Sequence, residues 1–146
     1  MRRGTRPAMA ERLPVSWIML TVLIADDEPN VVELVRMTLE DEHLQVVAAS
    51  DGAGALATAE AVAPDMILLD VNMPGPNGFE VCRRLRRDLR FATTPIIMLT
   101  AAAQKDDITE GTAAGADHYL TKPFSPVRLL SLVERVMPSS VLWLPD

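Results

Sequence analysis

Five short apolar runs, each followed by a segment with helical spacing, constrain this chain more than any other feature. The runs are Thr21 to Ala25, Gln45 to Ala49, Met66 to Leu69, Pro95 to Thr100 and His118 to Thr121. Three of them are nearly continuous: Val22-Leu23-Ile24, Met66-Ile67-Leu68-Leu69 and Ile96-Ile97-Met98-Leu99. Strands covered on both faces read this way, whereas strands with one wet face alternate. Helical spacing fills the gaps. Pro29 suits the first turn of a helix carrying Val31, Leu34, Val35 and Leu39, and Ala53 to Val62 is Ala-rich and helix-prone. Phe79 to Arg90 places Phe79, Cys82 and Leu85 on one side and arginines on the other; Asp106 to Ala114 is a weaker helix. Ser125-Pro126 reads as N-cap and first turn of a fifth helix reaching Met137. A βα unit repeated five times implies an α/β fold, doubly wound, with a parallel sheet between two helix layers and right-handed crossovers. Ligands of such open sheets bind beyond the carboxyl ends of the strands.

Composition narrows the class. With 146 residues and 49% of them hydrophobic, the chain suits one globular domain that buries roughly 68–70% of its unfolded surface. The expected layout is a loosely ordered N-terminal extension over 1–20, a folded unit over 21–137 and a tail over 138–146, with Met9 or Met19 as alternative starts. Arg2 and Arg3 before the apolar stretch Val15 to Ala25 imitate a signal peptide. That stretch is 11 residues long and holds Ser16 and Thr21, too short to span a bilayer, and cleavage near Ala25 would remove the first strand. The lone Cys82 cannot form an intrachain disulfide, which fits a core position and a reducing cytoplasm. Of the net charge of −6, residues 1–20 hold four Arg against one Glu, or +3, leaving −9 on 21–146. So acidic a body argues against direct nucleic-acid binding. The cluster Arg83, Arg84, Arg86, Arg87 and Arg90 reads as a solvated helix face, His43 and His118 as exposed and chemically unused, and the eight methionines as core filler.

The strand tips carry the polar residues of interest. The first run ends in Asp26-Asp27-Glu28, the third in Asp70, the fourth in Thr100 and the fifth in Thr121-Lys122-Pro123. Were the first and third strands neighbours, Asp26, Asp27 and Asp70 would meet in one crevice. Two unit charges about 4 Å apart cost roughly 4 kcal/mol at an effective dielectric of 20, so such a cluster calls for a cation or a raised pKa. All-oxygen ligands favour Mg²⁺ or Mn²⁺ over Zn²⁺. A divalent cation, the Lys122 ammonium, the Thr100 hydroxyl and one carboxylate as nucleophile suit phosphoryl transfer. Asp70, the single carboxylate ending the most apolar strand, is the best nucleophile. Taken singly each element is ordinary: an Asp-Asp pair caps helices, and Lys-Pro is a loop. The conjunction on successive strand tips is what points to function.

With Val22-Leu23-Ile24-Ala25-Asp26-Asp27-Glu28, then Leu69-Asp70-Val71-Asn72-Met73-Pro74 with Gly78, then Leu99-Thr100-Ala101, Gly115-Ala116-Asp117 and Tyr119-Leu120-Thr121-Lys122-Pro123-Phe124 in order, the chain resembles a response-regulator receiver domain of the CheY-like family over about Thr21 to Met137. The resemblance implies a flavodoxin-like three-layer sandwich with strand order 2-1-3-4-5. It implies that Asp70 accepts a phosphoryl group from a sensor histidine kinase or a phosphotransfer protein. Asp27, Asp70 and the backbone carbonyl of Asn72 would hold Mg²⁺, with Asp26 acting largely through water. Lys122 would bind a phosphoryl oxygen, its bond to Pro123 being cis, while Gly78 and the Met73-Pro74 turn shape the loop after Asp70. Thr100 and Tyr119 occupy the family's switch positions. On its own residues, Tyr119 is a half-buried strand aromatic with its hydroxyl in water. The signalling surface would be the fourth helix, fifth strand and fifth helix, roughly Asp106 to Met137, meeting an output protein or a second copy in a phosphorylation-dependent homodimer.

Two alternatives draw on the same residues. A metal-dependent phosphohydrolase would place a second acid two residues after the nucleophile, where Asn72 stands without the carboxyl for acid–base work. A degenerate receiver serving as scaffold would not need the acid pair, Asp70, Thr100 and Lys122 together. The tail with Val141-Leu142-Trp143-Leu144 suits packing on the domain, oligomer contact or a linker, and output is expected to pass through another protein. Asn72 and Ala102, flanking the site, are expected to tune the phosphoryl lifetime.

Overall fold

The computed structural model describes residues 19–101 and 105–137; the readings for residues 1–18, for Ala102 and for the tail 138–146 lie outside them. The elements alternate as expected: β1 Leu20–Ala25, α1 Pro29–Leu39, β2 Leu44–Ala49, α2 Gly52–Val62, β3 Met66–Asp70, α3 Gly78–Arg86, β4 Ile96–Thr100, α4 Lys105–Ala114, β5 His118–Thr121 and α5 Pro126–Val136. All strand pairings are parallel, in the order β2-β1-β3-β4-β5.

Pleating explains the two cores. Successive residues of a strand face opposite sides. Val22 and Ile24, Met66 and Leu68, and Ile97 and Leu99 pack with Val35 and Leu39 of α1 and Leu129, Leu132 and Val133 of α5. Their neighbours Leu23, Ile67, Leu69, Ile96 and Met98 pack with Ala55 and Ala59 of α2, Val81, Cys82 and Leu85 of α3, and Ala114 of α4. Every residue of β1, β3 and β4 is buried, as their apolar runs foretold, while the edge strands β2 and β5 keep partly open positions. Cys82 is indeed a core residue; burial pushes its thiol up to about 11, which makes it unreactive.

Local signals set the helix starts. Asp51, Asn77 and Ser125 accept from the backbone N–H groups of Gly54, Glu80 and Arg128 at 2.6, 3.0 and 3.1 Å, satisfying orphan donors at three N-termini.

Two expectations need correction. The third helix does not run to Arg90: it stops at Arg86, and the Asp88 side chain accepts from the Arg90 amide at 3.0 Å to start a short 3₁₀ turn, Leu89–Phe91, that buries Phe91. Nor is the arginine cluster simply a wet face. Arg86 donates through Nε to the Gly115 carbonyl at 2.9 Å, through Nη1 to the Phe91 and Thr94 carbonyls at 2.7 Å each, and through Nη2 to Asp117 at 2.8 Å. It ties α3 to the segments flanking β4 and β5. Arg83 and Arg84 pair with Glu80, Arg83 also with Glu110, and Arg90 pairs with Glu60 and Asp88. His43 and His118 are half-buried rather than exposed. Of the methionines, Met66 and Met98 fill the core, whereas Met37 is exposed.

Candidate functional site

Register builds the site. β1 and β3 pair with Ala25 opposite Leu69, so the next residues, Asp26 and Asp70, leave adjacent strand tips together. β4 and β5 pair with Thr100 opposite Thr121, which sets Lys122 on the same rim; its amide donates to the Thr100 carbonyl at 2.7 Å. The Lys122–Pro123 peptide is cis.

Asp26 is 1% exposed and Asp70 4%, while Asp27 is open to solvent. The three offer carboxylate oxygens that all lie within 4.8 Å of one another. Oxygens around one Mg²⁺ lie at most about 4.2 Å apart, twice its bond length, so the spacing of these three is close to what one such ion needs. The chemistry of the donors also fits a hard cation, because burial first, and the Asp26 charge second, raise the Asp70 carboxyl from its ordinary 3.8 to about 6. Lys122 and the Asn72 amide oppose that rise. The amide donates to Asp70 Oδ1 at 3.3 Å, and the Lys122 ammonium lies 3.5 Å from the same atom. Lys122 also reaches Asp26 at 3.1 Å and Glu28 at 2.6 Å. Burial works against its charge, yet the hydrogen bonds to Glu28 and Asp26 and the charges of Asp26 and Asp70 outweigh it and hold the ammonium above its ordinary range. The rim thus pairs a buried, proton-hungry carboxylate with a fixed cation.

Gly78 explains the loop after β3. Its amide donates to the Val71 carbonyl at 2.9 Å, and a β-carbon there would run into the Asp70 carbonyl. Only glycine lets the start of α3 lie against the backbone of Asp70.

Thr100 and Tyr119 both engage α4. The buried Thr100 hydroxyl donates to Asp107 at 3.2 Å. Tyr119 is half-buried as its strand position suggests, and on the solvent side its hydroxyl also binds α4: it donates to the Ile108 carbonyl at 2.7 Å and lies 2.9 Å from the Thr112 hydroxyl. Gly111 makes room for the ring, because a β-carbon there would overlap the phenol.

The structure therefore gathers Asp26, Asp27, Asp70 and Lys122 at one point, brings the Asn72 amide onto Asp70, and sets Thr100 and Tyr119 on the adjoining strands. Glu28 stood at the first strand tip in the sequence with no role given to it, and Asp107 and Gly111 are participants that sequence patterns did not single out. Beside Lys122 a cavity of about 380 Å³ is lined by Val31, Leu34, Pro123 and Phe124 among others.

Comparison with known proteins gives the family. The family described as the response regulator receiver domain matches residues 22–134, and the chain belongs to that family. Among curated proteins it is 44% identical over 116 residues to the DNA-binding dual master transcriptional regulator RpaA of Synechocystis sp., covering 80% of this chain and 48% of that one. It is 42% identical over 126 residues to the alkaline phosphatase synthesis transcriptional regulatory protein PhoP of Bacillus subtilis, covering 86% and 51%. The chain spans about half the length of the curated relatives it matches. Among solved structures it is similar to the chemotaxis response regulator CheY4 of Vibrio cholerae, with a TM-score of 0.77 and 40% identity over 82% of this chain and 99% of that one. The flavodoxin-like fold and the phosphoacceptor signalling class follow. Because RpaA is described as DNA-binding, the expectation of no direct nucleic-acid contact is not carried by these relatives. No helix among the described residues is long and apolar enough to cross a membrane.

Proposed function

We propose that Asp70 takes a phosphoryl group from a sensor histidine kinase or phosphotransfer protein, with Mg²⁺, and that this switches a partner-binding surface. The observation that carries the reading is the buried Asp70 carboxylate lying against Lys122 inside the acidic cluster. Asp70 Oδ attacks phosphorus in line; the O–P bond forms as the N–P bond of the donor breaks, and the imidazole leaves with the electron pair. Lys122 keeps its proton and holds a phosphoryl oxygen, and the Thr100 hydroxyl turns to another. Asp27, Asp70 and the Asn72 carbonyl, with Asp26 acting largely through water, would hold Mg²⁺, or Mn²⁺ in its place, which would supply further neutralisation of the oxygen charge.

The switch runs through α4. Thr100 donates to Asp107 and Tyr119 to Ile108, so both hydroxyls are bound to the one helix beside them. Turning Thr100 toward Asp70 gives up its bond to α4 and lets Tyr119 follow. The α4-β5-α5 face has a groove of about 320 Å³ lined by Tyr119, Val127, Arg128 and Arg135 among others, where an output protein or a second copy of the chain docks. The protein acts as a switch in the cytoplasm, catalysing only its own phosphotransfer and dephosphorylation. Residues 21–137 form the receiver, 1–20 an extension and 138–146 a tail, and the acidic receiver itself does not contact nucleic acid.

The test is intact mass after incubation with acetyl phosphate. One phosphoryl group is expected on the wild type in Mg²⁺, none in EDTA and none on Asp70→Asn. A metal-independent adduct, or one that persists in the variant, refutes the assignment.

A further inference from the structure

An ammonium has three protons to donate, and Lys122 has three carboxylates around it: Glu28 at 2.6 Å, Asp26 at 3.1 Å and Asp70 at 3.5 Å. Two of its protons are bound to Glu28 and Asp26 and the third faces Asp70 at ion-pair distance, so Lys122 moves onto an arriving phosphoryl oxygen with full strength only if one of the two bound carboxylates gives way. Asp26 is poorly placed to do so. Its side chain is fully buried and its other oxygen accepts from the Glu28 amide at 2.9 Å, so releasing it leaves a buried anion short of a partner. Asp70 is the reacting group. The Glu28 side chain, by contrast, is 60% exposed, and water replaces the ammonium as soon as it swings away.

A second observation concerns what Glu28 does not do. It is the N-cap residue of α1, yet its side chain accepts no bond from that helix, whose first position is Pro29. Its shortest contact is instead with a residue 94 positions away. A local role in starting the helix does not account for where this carboxylate points.

From this geometry we infer that Glu28 is a latch on Lys122, which must open before Asp70 can be phosphorylated and which therefore slows loading of the site. The inference rests on the reading of Asp70 as phosphoacceptor. Glu28 exchanges no atoms or electrons in the step: the donor's bond to phosphorus breaks, the O–P bond forms on Asp70, and Lys122 passes from Glu28 to a phosphoryl oxygen with its proton retained. Glu28 is a positioning residue. An exposed ion pair of this kind is worth about a two- to five-fold effect on an equilibrium.

The test measures initial rates of phosphoryl incorporation from acetyl phosphate in saturating Mg²⁺, by intact mass, on the full chain. Glu28→Gln, which keeps the length and loses the charge, is expected to load about two- to five-fold faster than wild type, and the ratio to shrink in 0.5 M KCl. Glu28→Asp keeps the charge but is one methylene too short for the 2.6 Å contact, and is expected to share most of the gain. Incorporation at equal or lower rate in Glu28→Gln overturns the latch while leaving the phosphoacceptor reading intact. A fast Glu28→Gln beside an Asp variant as slow as wild type also overturns it, since the charge would then act by repelling the anionic donor. No incorporation in wild type despite Mg²⁺ removes the phosphoacceptor reading, and the latch with it.

Discussion

Replacing Asp70 by Asn should make the metal-free protein more stable, by an amount that depends on pH in a defined direction. In the folded chain burial and Asp26 raise the Asp70 carboxyl from 3.8 to about 6. Such a group binds its proton more tightly when folded than when unfolded. Above pH 6 it is charged in both states, and the folded state carries a cost of about 3 kcal/mol. As pH falls from 6 to 3.8 the folded carboxyl is protonated while the unfolded one is still ionised, so the cost fades, and below 3.8 it is gone. Asp70→Asn removes the charge at nearly constant shape and retains an oxygen to accept from the Asn72 amide. Urea unfolding in EDTA should therefore find the variant more stable by about 3 kcal/mol at pH 8, on the order of 10 °C in Tm for a domain of this size, with the gap mostly closed at pH 4.5. Titrating groups away from Asp70 affect both proteins alike. Adding Mg²⁺ should reverse the order, because binding stabilises only the protein that keeps the ligand. Equal stability at pH 8 without metal, or a gap that widens as pH falls, would show that Asp70 is not held at a cost.

Asp27→Ala should match wild type in metal-free stability or exceed it, since an exposed charge beside two others is removed, and should lose the rise in Tm on titration with Mg²⁺; an undiminished rise contradicts its place among the ligands. Gly78→Ala forces a methyl group onto the Asp70 carbonyl and should cost about 1–3 kcal/mol in urea, whereas a change below about 0.5 kcal/mol would mean the loop relaxes freely. Arg86→Ala leaves the Gly115, Phe91 and Thr94 carbonyls short of a donor and should cost about 2–4 kcal/mol, with Arg86→Lys recovering little because an ammonium cannot span the fork; full rescue by Lys would refute the fork. Thr100→Ala should still accept phosphate at Asp70 but fail to move Tyr119, seen as an unshifted Tyr119 ring resonance on phosphorylation, and a wild-type shift in that variant would remove Thr100 from the switch.

Much of this was written locally in the chain. Apolar runs such as Met66 to Leu69 mark central strands because only a doubly covered strand tolerates them, and carboxylates immediately after such runs can only stand at the carboxyl edge. The tip residues Asp26, Asp70, Thr100 and Lys122 were therefore legible, given the strand order that the family resemblance supplied. What escaped were contacts between distant segments. Glu28 reads as one more acid in a charge run, and its bond to Lys122 exists only once β1 and β5 share a rim. Gly111 looks like a weak point in α4 until Tyr119 is laid across it, and the same packing brings the Tyr119 hydroxyl to the Ile108 carbonyl. Arg86 has the spacing of a solvated face, but Gly115, Thr94 and Asp117 come to it from elsewhere in the fold. The helix end at Arg86 is hard to read in the sequence because continued spacing outweighs the one local signal, the Asp88 side chain competing for a backbone amide.

The most direct measurement is to trap the modified residue itself. Wild-type protein phosphorylated with acetyl phosphate in Mg²⁺ is reduced with borohydride, which converts an aspartyl-phosphate to homoserine, then digested and mapped by peptide mass. Homoserine at residue 70 alone is the result this account predicts. Homoserine at Asp26 or Asp27, or phosphate stable to the treatment on a Ser, Thr or His, would contradict it.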